Sequence, residues 1–405
     1  MKGIEAPGVD EYIERRQRLA VALDEDGIDA FIVEPGYTFQ YYANVSQEDW
    51  EPWEPEERPF LMVVRPEKDD RGVVSANTTF LSPAFEAERV RLLGMPFAEP
   101  LSIVGWEEHW NPYTTLLQST LFADVQLSSA PKVMVDEEMR DYIQRGLSLN
   151  GFDVVGLSGN VEAVRQTKSS VEAAILRAVN TGTVEAIRQM RKCLYPGLTE
   201  GDVAQVLDKT LEAAGLDPFF DIVLFDENAS NPHGGTNGAK ILTSETFVLI
   251  DVGAHLHGYS SDVCRTFVPP FLPKTAAIQR KLQKKMDVWD VVFRAQTASI
   301  GQFQEGNSAA SVDIAARKII TDAGYGAAFT HRLGHGIGIK AHESPYLNKG
   351  NHNVTLRPGM AFTSEPGVYL VDEFGVRHED IFLVAADGEQ PECLSGDRAI
   401  GPWDP

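Results

Sequence analysis

The chain has 405 residues, too many for one ordinary core and suited to two domains. It is 43% hydrophobic and 23% charged, the balance of a globular protein, and 36 Lys+Arg against 59 Asp+Glu leave a net charge of -23. That surface repels nucleic acid and anionic membranes, so neither is an expected partner. The N-terminal stretch "MKGIEAPGVDEYIERR" lacks the apolar segment of a signal peptide, and no apolar run is long enough to span a membrane. Cys193, Cys264 and Cys393 are few, odd in number and far apart, which argues against a disulfide framework and for a cytoplasmic protein.

In chain order, "YIERRQRLAVALDEDG" has helical periodicity and stops at Gly27, a natural helix end. "AFIVEPG" reads as a short buried strand closed by Pro-Gly. "FLMVVRP", "TTFLS", "KVMVD" and "DVVGLSG" are further strands, with helical segments such as "EEMRDYIQRGLSLNG" between them. This alternation predicts an α/β domain with a partly parallel sheet over residues 1–158. A second domain, residues 159–405, then opens with a long helix over "SSVEAAILRAVNTGTVEAIRQMRKCL", capped by Ser169 or Ser170 with Glu172 in its first turn.

The second domain repeats a plan. "FVLIDVGAHLHGYSSDVCRTFVP" and "MAFTSEPGVYLVDEFGVRHEDIFLV" each carry an apolar strand, then an acid followed by x-Gly, at Asp251 and at Glu365. Each continues through a Gly-containing hairpin to a second acid on the returning strand, Asp262 or Glu379. A pair of helix patterns precedes each, at about 169–194 and 200–215, then at about 273–298 and 308–324. Two such halves related by a pseudo-twofold axis bring four carboxylates to one centre. Buried carboxylates must protonate, pair with a cation or bind metal. Four of them with one histidine form a set able to hold two divalent ions, which activate water near neutral pH. In "HRLGHGIGIKAHESP", His335 is the favoured fifth ligand because Gly334 and Gly336 allow the backbone to approach closely. His331 and His342 are then free for other roles.

The motifs "DVGAHLHGYSSDVCRTF", "HRLGHGIGIKAHE", "SEPGVY" and "GVRHED", in this order, resemble those of the pita-bread metallopeptidases, the group of prolidase, aminopeptidase P and methionine aminopeptidase. The resemblance spans nearly the whole chain. It implies an α/β creatinase-like N-terminal domain followed by an α+β pita-bread domain with pseudo-twofold symmetry. It implies Asp251 on one metal, Asp262 and Glu379 bridging two, and His335 and Glu365 completing the second, with Glu365 as general base. It also implies substrate-facing roles for His233 and His342, and a place at the pocket wall for His331. Arg377 lies two residues before Glu379, so one strand puts both on one face, where the arginine can hold a bridging carboxylate. A homodimer is implied as well. The loop "SQEDWEPWEPEERPF" then has two readings: Trp50 and Trp53 pack on their own domain, or they form an aromatic lid over a pocket, that of a partner subunit included.

The expected activity is hydrolysis of Xaa-Pro peptide bonds by a dinuclear metal site. Mn²⁺ is the favoured ion for a carboxylate-rich set with one imidazole, with Zn²⁺, Co²⁺ and Fe²⁺ as alternatives. The runner-up readings are hydrolysis or lyase chemistry on a small non-peptide substrate, and a non-catalytic binding protein. Methionine aminopeptidase is disfavoured by the large N-terminal domain, and creatinase by the complete ligand set. The pair His255 and His257 is set aside as a hairpin loop, and His378 as facing away from the Glu379 side.

Overall fold

The computed structural model describes residues 3–51, 53–125 and 129–405. They form two compact units, one of residues 7–165 and one of residues 166–405 with residues 3–6. No helix among the described residues is long and apolar enough to cross a membrane.

The N-terminal unit is built on a six-stranded sheet. Its strands are β1 (Ala30–Val33), β2 (Leu61–Lys68), β3 (Val74–Pro83), β4 (Ser102–Trp106), β5 (Lys132–Val135) and β6 (Asp153–Val155), in the order β4-β3-β2-β1-β5-β6. The β1–β5, β5–β6 and β3–β4 pairs are parallel and the others antiparallel. β1 is buried along its whole length, as a central strand covered on both faces must be. Trp50 ends a short helix, Gln47–Trp50, whose first turn is closed by a reciprocal Ser46–Asp49 capping box.

Trp50 is a core side chain and not a lid. It is 3% exposed, its ring lies 4.1 Å from that of Phe60, and the Arg89 guanidinium covers it at 4.2 Å. Burying so large a ring is worth more to the sheet than exposing it. Trp53 is 87% exposed. The division between the units also falls later than Ser158. The helix Gly159–Gln166 keeps its ties to the first unit: Tyr41 Oη donates to the Val164 carbonyl at 3.2 Å, and Arg165 Nη1 donates to Thr38 Oγ1 at 2.6 Å. The break therefore comes after Arg165.

The second unit opens with the helix Ser170–Arg191, capped by Ser169 with Glu172 returning the bond, and the helix Glu200–Ala213, capped in the same way by Thr199 and Asp202. They precede β7 (Asp217–Phe225), β8 (Val248–Leu256), β9 (Tyr259–Ser260) and β10 (Val263–Phe267), in the order β10-β8-β7 with β9 on β8. A second helix pair, Gln283–Ile300 and Ala309–Asp322, precedes β11 (Gly334–Gly336), β12 (Glu343–Leu347) and β13 (Ala361–Ser364). The hairpin β14 (Gly367–Leu370) and β15 (Phe374–Arg377) follows, then β16 (Asp380–Leu383) and β17 (Glu392–Cys393). Their sheet runs β12-β11-β13-β16-β17. A large apolar core lies behind it, with Val292, Phe303, Phe362 and Phe382 among its members.

The two halves thus repeat one plan, a helix pair followed by a hairpin-rich sheet. The second acids differ from expectation in one respect. Asp262 lies between β9 and β10, and Glu379 between β15 and β16, so both occupy breaks and not strand interiors. Glu365 also sits at a break, before Pro366, which lacks the N–H that a ladder needs. At a break the side chain escapes the strict up-and-down alternation of a strand.

Candidate metal centre

Four acids and two histidines converge in the second unit. Ligand atoms of Asp251, Asp262 and Glu379 lie within 4.8 Å of one another, as do those of His335, Glu365 and Glu379, and those of Asp262, His335 and His342. His335 Nε2 is 3.4 Å from Glu365 Oε1 and 3.6 Å from Asp262 Oδ2. Its Nδ1 lies 3.0 Å from the Gly336 carbonyl. A carbonyl can only accept, so Nδ1 carries the proton and the Nε2 lone pair faces the acids. Gly334 and Gly336 are required by packing on both sides. A Cβ at Gly334 would meet the Thr363 carbonyl oxygen at 2.2 Å, and one at Gly336 would meet the Glu343 carbonyl oxygen at 2.8 Å.

Charge shows what the cluster suits. Burial pushes Asp262 and Glu379 well above the usual carboxylate range, and the neighbouring carboxylates push the same way. Burial raises Glu365 to about 8, with Arg377 opposing and Asp251 adding to the rise. Burial drives His335 far below its ordinary value. Asp251 Oδ1 and Glu379 Oε1 are buried with no hydrogen-bond partner among the described residues. Four acids, one neutral imidazole and two orphaned carboxylate oxygens fit a pair of hard divalent cations. Asp251, Asp262, His335, Glu365 and Glu379 are the residues that would hold them.

Arg377 is fully buried, and its partner differs from the one expected. Nη2 donates to Asp251 Oδ2 at 2.5 Å, and Nη1 donates to Tyr369 Oη at 2.9 Å. The arginine serves Asp251 and not Glu379, because the break after β15 turns Glu379 out of the strand register. Tyr369 Oη also lies 2.8 Å from His331 Nε2, and His331 Nδ1 lies 2.6 Å from the Arg332 carbonyl. The acceptor at Nδ1 fixes the tautomer, so Tyr369 donates to Nε2. A directed chain therefore runs from Arg377 through Tyr369 to His331. Burial and the charge of Arg377 depress His331 to about 4.

His342 sits at the rim. Its Nε2 is 3.7 Å from Asp262 Oδ2, and its side chain is 61% exposed. His233 is exposed on the loop after β7, in the wall of a cleft of about 220 Å³ that Asp221, Ile222 and Leu224 also line. Burial depresses both His331 and His342, and His233 adds to the effect on each. His255 stacks on Phe219 at 4.2 Å, and His257 Nε2 meets the Ile4 carbonyl at 3.0 Å, so this pair serves the hairpin. His378 is buried edge-on against Trp289 at 4.5 Å. Cys264 is a buried thiol packed near Leu224, Ala229 and Leu249.

Two residues at the site carried no signal of their own in the sequence. Tyr369 sits in the apolar run "GVYLV", where nothing nearby in sequence names a partner for its hydroxyl. Arg332 lay next to His331 without a visible partner. It stacks over the Tyr346 ring at 4.6 Å, and its charge depresses His335 and His342 and restrains the rise of Glu365. The pairing of β11 with β12, His335 opposite Tyr346, brings that ring alongside.

Known proteins share this arrangement of chain. The model of metallopeptidase family M24 matches residues 174–386. An uncharacterized peptidase of Schizosaccharomyces pombe is 39% identical over 403 residues, 98% of this chain and 84% of its own. The solved dipeptidase PepE of Mycobacterium ulcerans superposes with a TM-score of 0.81 at 25% identity, over 97% of this chain and 98% of its own. A prolidase from Thermococcus sibiricus gives 0.77 at 26% identity, over 96% and 98%. Both superpositions run through both units, so the pita-bread fold with its N-terminal domain holds along the chain. The match to the family model covers the repeated halves and every residue of the acid and histidine cluster, and the protein is a member of metallopeptidase family M24.

Proposed function

We propose that this peptidase hydrolyses Xaa-Pro bonds, with dipeptides as its preferred substrates. The observation that carries this reading is the convergence of four acids and His335 on one centre, in a chain that aligns almost end to end with a prolidase. Two divalent ions held by Asp251, Asp262, His335, Glu365 and Glu379 would polarise the scissile carbonyl and acidify the attacking water. Mn²⁺ is the ion we favour, from the hard oxygen-rich donor set. A cytoplasmic homodimer belongs to the same proposal. Three free thiols, Cys193 exposed among them, suit a reducing compartment.

The side chains divide the work. Glu365, poised high by burial and lowered by any cation beside it, accepts a proton from the attacking water and passes it to the departing proline nitrogen. His342, at the rim beside Asp262, donates to the oxygen on which negative charge develops. Arg377 locks Asp251 in place, and Tyr369 with His331 locks Arg377. His233 reaches the substrate from its loop. Arg332 brings positive charge to the same rim, where a dipeptide ends in a carboxylate; this favours dipeptides over longer chains.

The test is direct. Metal-loaded protein is incubated with Ala-Pro, Ala-Pro-amide, Ala-Pro-Ala and Ala-Ala, and the products are read by mass. Cleavage of Ala-Pro well above the amide and the tripeptide supports the reading. Preferential cleavage of the tripeptide would replace dipeptidase action with aminopeptidase action. No cleavage of any peptide by protein that holds two ions would favour a small non-peptide substrate.

A further inference from the structure

His342 poses a mechanical problem. Its ring is mostly exposed, and an edge-on contact with His335 at 4.2 Å is too slight by itself to hold it near Asp262. The backbone has to do so. That backbone leaves β11 at Gly336 and re-enters as β12 at Glu343, with a shift of register between His335 and Gly336. Regular strand pairing therefore does not determine the path of residues 337–342.

Other ties do. Ser260 N donates to the Gly338 carbonyl at 2.9 Å, and Ser260 Oγ donates to the Ile339 carbonyl at 3.1 Å. On the far side of His342, the adjacent Glu343 is 2% exposed, and its carboxylate forms an ion pair with the ammonium of Lys168, itself 1% exposed. Lys168 is anchored at its base, where its backbone N donates to the Gly359 carbonyl at 2.8 Å. Gly338 leaves room for the pair: a Cβ there would meet Lys168 Nζ at 2.9 Å and Glu343 Oε1 at 3.0 Å.

A buried ion pair is a poor stabiliser, because desolvating two charges offsets most of their attraction. Apolar side chains of similar volume would serve stability as well. A charge pair adds direction, since it fixes where one atom sits relative to another. Resting on the reading of His342 as a transition-state donor, we propose that Lys168 is a positioning residue, which through Glu343 fixes the backbone that presents His342 to the site. Lys168 touches no substrate in this role.

The test replaces the pair as a unit, Lys168→Met with Glu343→Met, so that no buried charge is left alone. Thermal midpoint and metal content should stay at the wild-type level. The kcat on Ala-Pro should fall by about 10²-fold, the scale of a 1 Å misplacement, with KM little changed. In the background of His342→Ala the same double replacement should cost nothing more, because both act through one group. Wild-type kcat in the pair variant, or a loss that multiplies with that of His342→Ala, overturns the proposal. If His342→Ala alone keeps wild-type kcat, the reading of His342 fails first and the positioning role falls with it. Should the pair variant not fold, Gly338→Ala takes its place, since the added Cβ wedges Lys168 from Glu343; the same loss and the same non-additivity are expected. A readout without substrate guards against failure of the Xaa-Pro reading. In protein labelled with ¹³C-histidine, the ring resonance that disappears in His342→Ala should be single in wild type and broadened or split in the variant. An unchanged resonance overturns the proposal.

Discussion

His335 and His342 meet edge to face, with ring centroids 4.2 Å apart and planes at 84°, yet they stand in opposite surroundings. His335 is buried with Nδ1 held by a carbonyl, and His342 is exposed at the rim. Both lie within reach of Asp262, so either ring could be taken for a ligand. Their substitutions should separate them. His335→Ala should lose metal together with activity. His342→Ala should keep metal content and lose kcat by roughly 10²–10³-fold, as removal of an oxyanion donor does. Metal content and kcat of both purified variants decide; loss of metal from His342→Ala, with partial rescue by added metal, would make His342 a ligand.

Asp262 lies within reach of Asp251, Glu379, His335 and His342, so removing its charge should disturb the whole centre. Asp262→Asn should lower metal occupancy and rate together. The wild-type protein should bind two ions per chain, lose activity with chelator and gain thermal stability as metal is restored. Elemental analysis alongside a melting curve measures all of these. Full activity in metal-free protein would refute the metal assignment.

Tyr369→Phe removes the hydroxyl between Arg377 and His331 while keeping the ring. The fold should persist. Metal affinity or kcat should drop by about 10–100-fold, the usual effect of loosening a group that orients a ligand. A competition titration with a metal indicator reads the affinity. An unaltered affinity with unaltered kcat would show that Arg377 holds Asp251 without help.

His331 makes a pH prediction. Its folded value of about 4 lies below the 6.5 of an unfolded histidine, chiefly from burial and then from Arg377. Between these two values the unfolded chain binds a proton that the folded chain does not. Its contribution to stability is therefore complete above about 6.5 and is lost as pH falls toward 4. Urea unfolding of chelator-treated protein at pH 7.5 and pH 5 should show wild type losing more stability than His331→Gln. Equal losses would mean that His331 titrates normally.

Trp50 and Trp53 should behave differently despite lying three residues apart. Trp50→Ala empties a buried site against Phe60 and should destabilise the N-terminal unit by about 3–5 kcal/mol. Trp53→Ala removes an exposed ring and should leave stability unchanged. If Trp53 reaches a neighbouring subunit, its replacement should raise KM only at concentrations where the protein is dimeric. Sedimentation with kinetics at the same concentrations tests this.

Much of the catalytic unit was legible in the sequence because it is written in local chemistry. Acid-x-Gly after an apolar strand occurs twice, at Asp251 and Glu365, and glycines flank His335. Such signals survive in a linear reading because backbone geometry demands particular residues at neighbouring positions. The Ser169 cap of the first long helix was readable for the same reason. Tertiary structure alone decided which side chains meet across the chain. Spacing put Arg377 with Glu379, but the break after β15 gave it to Asp251, 126 residues away. Trp50 among prolines and acids looked like a loop residue until the aromatic cluster around Phe60 enclosed it. Lys168 precedes the Ser169 cap of a helix, and nothing near it in sequence names its partner Glu343, 175 residues on. A sequence states what a residue can do; burial and the charges that folding brings beside it determine which of those things it does.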